Sequence, residues 1–185
     1  VLMLFPYKDD NPRILVPYVT YGIIAINVLV FILQFNLSIS NPIAEESFIY
    51  SFGFIPANFS FITIFTSMFL HGGFSHIMGN MWFLWVFGDN VEGVLGHTKY
   101  ILFYILCGLA ATISQLLINP GSTIPMVGAS GAIPGVLGMY MIRFPKANVH
   151  VFAFIIIFFT TFRIPALFVV GFWFFNQLTN GLGSL

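Results

Sequence analysis

Five stretches of this 185-residue chain are apolar enough to cross a bilayer, and that restricts it to few architectures. A hydrocarbon core of ~30 Å takes about 20 residues of helix, with ~17 as the lower bound. Tyr18–Phe35, Ser75–Val94, Tyr100–Ile118, Met126–Ile142 and Pro165–Leu182 meet that length. Lipid offers backbone groups no hydrogen-bond partner, so such spans are read as helices and the chain as an all-α polytopic membrane bundle. Composition agrees: 58% of residues are hydrophobic and 6% charged, against about a quarter charged in soluble domains. Net charge is zero with basic residues scattered, which argues against a nucleic-acid partner or an electrostatic surface binder. Cys107 is the single cysteine, so no disulfide can form within the chain.

Two other apolar runs are too short to cross. Phe61–Leu70 carries Phe61, Ile64, Phe65, Met68 and Phe69 at helical spacing, which predicts a helix lying in the membrane interface. Val151–Phe162 lacks a deciding period and is expected to be interfacial or re-entrant.

Orientation follows from lysine and arginine, which gather in cytoplasmic loops. Lys8 and Arg13 precede the first span, Lys99 separates the second and third, and Arg143, Lys146 and Arg163 separate the fourth and fifth. All six basic residues fall on one side if the N-terminus is cytoplasmic. The first loop, Asn36–Phe74, is then outside.

That topology fixes depth. The second span enters from outside at His76, and Asn80 follows one turn deeper on the same face. The fourth span also starts outside, at "VGASGAIPG", which brings Ser130 to a similar depth. His97 and His150 belong to the opposite side. His71 is expected to anchor the interface, and its five-residue offset from His76 does not make the two neighbours. No metal-ligand set and no nucleotide loop is legible, since "GASGAIPG" lacks the lysine of a phosphate loop.

Each polar residue also has a plain structural reading. Gly128, Gly131, Gly135 and Gly138 form a stripe that lets helices approach closely, and serine is common in such stripes. His76 and Asn80 can simply bond a neighbouring helix or water. Against this, intramembrane polar residues are costly and point to function by default. Glycines beside Ser130 leave its hydroxyl uncovered, and its N–H at a helix start is free for an oxyanion.

"HGGFSHIMGN", "GDNVEGVLGHTKYILFYILCG" and "GASGAIPGVLGMY", in that order, together with "PYVTYGIIAINVLVFILQ", resemble the rhomboids, a family of intramembrane serine proteases. The resemblance covers most of the chain and implies one rhomboid-like domain over residues 1–185, incomplete at its C-terminus, with five of six helices present. It implies a water-filled cavity open to the outer side, where a Ser–His dyad cleaves transmembrane substrates near their outer boundary. Ser130 matches the nucleophile. His76 and Asn80 match oxyanion-stabilising side chains. No cofactor is implied, and the expected partners are transmembrane proteins and the lipid bilayer, in a bacterial plasma membrane.

The chain departs from the family pattern in three places. The dyad histidine belongs to a sixth helix, and no histidine follows His150. Residues 36–75 contain neither Trp nor Arg, unlike the best-studied members. Pro134 stands where some members place an aromatic residue. Both chain ends, "VLMLF" and "GLGSL", are expected to be cuts, and without the dyad histidine this chain is expected to be inactive; a catalytically inactive rhomboid-like binder of transmembrane helices is the alternative function. His76 as the base itself is a further one.

Overall fold

A computed structural model describes residues 2–155 and 158–182. Helix dominates. α1 (Tyr18–Ser40), α2 (Pro42–Phe52), α3 (Phe61–Thr66), α4 (Phe74–Leu95), α5 (His97–Ile118), α6 (Ile133–Arg143) and α7 (Ala166–Leu182) follow in chain order. α1 and α5 are long and apolar enough to span a membrane, and the bent pair Phe61–Phe69 with Phe74–Leu95 makes a third candidate, broken by 86°. The protein is an integral membrane protein.

The expectation of five long helices is met only in part. Met126–Ile142 is helical from Ile133 onward; before it, the chain runs through an irregular stretch and a 3-10 turn, Ala129–Gly131. Pro134 explains the late start, because proline suits the first turn, where its missing N–H has no intrahelical partner to lose. α7 has 17 residues, at the lower limit for a span.

The all-α expectation needs correction at Val151–Phe162. β2 (Asn148–Ile155) and β3 (Phe158–Pro165) pair antiparallel, and β1 (Leu2–Asp9) pairs with the far side of β2, giving the order β1-β2-β3. Residues 156 and 157 lie outside the described residues. β-branched and aromatic residues favour a pleated strand, and Val149, Val151 and Ala153 alternate into the interior. The partner β1 lies almost the whole chain away, so local periodicity could not announce the sheet.

The core lies between α4, α5 and α6. Leu84, Phe87, Val91, Tyr100, Tyr104, Ile133, Val136, Leu137 and Tyr140 are all buried there. α6 approaches α5 through small residues: a Cβ added at Gly131 would meet Ala111 Cβ at 2.9 Å, and one at Gly135 would meet Cys107 Cβ at 2.8 Å. Gly131 and Gly135 of the stripe therefore pack on α5, while Gly138 faces open space. Gly96, with φ 73°, lets α4 turn directly into α5.

The C-terminal end of α4 carries a buried carboxylate. Glu92 is 0% exposed and accepts from the N–H groups of Val19 (2.9 Å) and Thr20 (2.8 Å), from the Thr20 hydroxyl (2.6 Å), and pairs with His97 Nδ1 (2.6 Å). α1 has no side-chain cap of its own at Pro17. A residue 72 positions later therefore supplies it, placing negative charge at the positive end of the helix.

Candidate active site

The approach to Ser130 is held by backbone bonds to the first loop. Phe54 and Met126 exchange both backbone bonds, at 3.0 and 2.7 Å, and Gly128 N–H donates to Ser67 C=O at 2.8 Å. Gly128 then adopts φ 118°, open only to glycine without strain, and the chain enters the 3-10 turn that contains Ser130. Ala132 N–H bonds Ala129 C=O at 2.9 Å and closes that turn. The N–H of Ser130 stands in its first turn, where no preceding carbonyl is available to it.

Ser130 and His76 meet across Gly128. A Cβ at Gly128 would lie 2.8 Å from His76 Cε1, 2.9 Å from His76 Nε2 and 3.3 Å from Ser130 Oγ. The separation of imidazole nitrogen and hydroxyl therefore cannot exceed the sum of the last two distances. Both side chains are half-buried and neither makes a side-chain hydrogen bond within the described residues.

Asn80 is buried a turn deeper, and its Nδ2 bonds His71 Nε2 at 3.1 Å. His71 corrects two expectations. It is 2% exposed rather than an interface anchor, and its ring stands edge-on to His76 with centroids 5.1 Å apart. The five-residue offset misleads because His71 precedes α4: the bend between the 3-10 turn Ser67–Phe69 and α4 folds it back over the helix start. Its backbone is held from α1, where Gln34 Oε1 accepts from His71 N–H (3.0 Å) and Gln34 Nε2 donates to His71 C=O (3.2 Å).

Sequence reading missed Gln34, although a signal existed. Thr20, Asn27 and Gln34 are spaced seven apart along an otherwise apolar helix, and all three are buried. In a membrane helix such a stripe faces protein.

His97 and His150 lie elsewhere, bonded to Glu92 and to Asp10. No cluster of three or more metal-ligating side chains occurs among the described residues.

A model of the rhomboid domain matches residues 58–184, which contain Ser67, His71, His76, Asn80 and Ser130. The chain belongs to the rhomboid family. This rhomboid is 30% identical over 154 residues to Rhomboid protein 1, mitochondrial, of Saccharomyces cerevisiae, covering 81% of this chain and 42% of the relative. It is 32% identical over 123 residues to Rhomboid protease GluP of Bacillus subtilis, covering 66% of this chain and 24% of the relative. To the human Presenilin-associated rhomboid-like protein, mitochondrial, it is 29% identical over 133 residues, covering 70% and 34%. The chain thus spans less than half the length of each of these three. They come from mitochondria as well as a bacterium, so the relatives do not single out a bacterial plasma membrane.

Proposed function

We propose that this rhomboid is an intramembrane serine endopeptidase that cleaves transmembrane proteins near their outer membrane boundary. The observation that carries the reading is the convergence of the Ser130 hydroxyl and the His76 ring on the bare face of Gly128, at the head of α6. Ser130 Oγ attacks a substrate peptide carbonyl. Its proton passes to an imidazole, and the carbonyl oxygen becomes an oxyanion. Donors for that oxyanion are the Ser130 N–H, the His76 ring and the second amide N–H of Asn80. One such donor is typically worth ~2.7–4 kcal/mol of transition-state stabilisation. The proton then goes to the leaving amine, and water releases the acyl group from Ser130.

Family resemblance assigns the base to a dyad histidine on a sixth helix, and the histidines of this chain are His71, His76, His97 and His150. His76 is the one whose ring nitrogen borders Ser130. Suitable substrates are transmembrane helices that unwind readily, with a small residue before the cut. The cytoplasmic placement of the N-terminus, the outward opening of the site and the span count of five belong to the same proposal. They are supported by the one-sided distribution of the six basic residues.

A second reading, a helix-binding rhomboid without proteolysis, is favoured by the absence of a hydrogen bond between Ser130 and any imidazole among the described residues. Cleavage of a transmembrane substrate in reconstituted membranes separates the two. Ser130→Ala is expected to abolish cleavage and Asn80→Ala to slow it by about 10²–10³-fold, both with the fold intact. Wild-type cleavage rates in Ser130→Ala would remove Ser130 as nucleophile; no cleavage by any form would favour the binder.

A further inference from the structure

We infer that Gln34, on α1, is a positioning residue for the site. Its amide grips both backbone groups of His71 and thereby sets the His71 ring that orients Asn80 and His76 beside Ser130. The Gln34 side chain satisfies the N–H and the C=O of one buried residue, which fixes both the position and the rotation of that peptide. Leu33 and Phe35 on either side are exposed, while Gln34 is 2% exposed.

His71 passes the constraint on. With the Asn80 Nδ2 group facing it, His71 Nε2 is assigned as the acceptor, which makes the ring neutral with its proton on Nδ1. Held in that tautomer, the ring turns the Asn80 amide and meets the His76 ring edge-on. His76 in turn fills the space left by Gly128 against Ser130. Three side chains, His71 from the loop and His76 and Asn80 from α4, are thus set from a single amide, by a residue that touches neither Ser130 nor a substrate. The geometric part stands on its own. Its consequence for reactivity rests on Ser130 being the nucleophile.

The test uses the full chain in detergent micelles with ¹⁵N-labelled histidine. In the wild type, His71 Nε2 should resonate as an unprotonated nitrogen and Nδ1 as a protonated one. Gln34→Leu, close in size and apolar, should shift both the His71 and the His76 ring signals while the helical circular dichroism holds. Gln34→Glu keeps the acceptor for His71 N–H and should restore part of the wild-type pattern, and it serves if Gln34→Leu fails to fold. A fluorophosphonate probe then reads Ser130. Gln34→Leu should be labelled at least roughly 10-fold more slowly at unchanged probe saturation, because small displacements of a catalytic group are costly in rate. Unshifted His71 and His76 rings in folded Gln34→Leu would overturn the inference. Absence of labelling in the wild type would show that His76 does not serve Ser130 as base in this chain, and the ring spectra still decide the role of Gln34.

Discussion

Gly128 shows how much one residue can decide. Its φ of 118° lies where a side chain is strained, and the space its Cβ would fill is taken by His76. Gly128→Ala should therefore cost about 1–3 kcal/mol of backbone strain and also push the imidazole away from Ser130. Unfolding in a denaturing detergent series and fluorophosphonate labelling should both register it. Labelling at the wild-type rate would mean that the His76 ring has no part in the reactivity of Ser130. The glycine also explains why the Gly-Ala-Ser-Gly sequence alone was ambiguous. Gly128 opens room for a histidine and Gly131 for α5, so a stripe of small residues serves the site and the packing together. Sequence spacing alone cannot divide those roles.

At the scale of elements, α1 acts as a two-ended strut. Thr20 ties one end to Glu92 of α4, and Gln34 ties the other to the loop before α4. Glu92→Ala would leave the N–H groups of Val19 and Thr20 without their acceptor, at about 1–3 kcal/mol for each group left unpaired. Glu92→Gln keeps one acceptor oxygen and should cost less. Unfolding monitored by circular dichroism would rank them, and equal stability of all three forms would show that water replaces the cap. Outside the spans, β1 is pinned beside β2 by Asp10 and His150, 2.5 Å apart. The bond from His150 holds the Asp10 carboxyl below the usual carboxylate range. A depressed carboxylate pKa stabilises above the unfolded-state value, and that contribution is lost as pH falls through the folded-state value. The clasp should hold at neutral pH and loosen in acid. A carboxyl NMR titration should show Asp10 of His150→Ala moving up toward ~3.9, whereas an unmoved titration would assign the shift to Arg163 and Asn148 instead.

At the scale of the whole molecule, the proposed topology puts all six basic residues on one side of the membrane. Cysteines introduced at Asn41 and Asn119 on a Cys107→Ala background should react with an impermeant reagent added from outside. Protection of both, with labelling at position Lys146→Cys, would invert the protein. The length and hydrophobicity of the spans, the charge asymmetry, and the ordered motifs around His76, Asn80 and Ser130 were legible in the sequence, because each depends on residues close together in the chain. The sequence also carried the Thr20, Asn27, Gln34 stripe, though not what it would face. Tertiary structure alone decided that Val151 pairs with Pro6 in a sheet, that Glu92 caps a helix 72 positions earlier, and that Gln34 holds His71. These are contacts between distant segments, whose partners are chosen by how the helices pack. Local periodicity marks which residues must avoid lipid, but the identity of the group that satisfies each of them is fixed only when the helices come together.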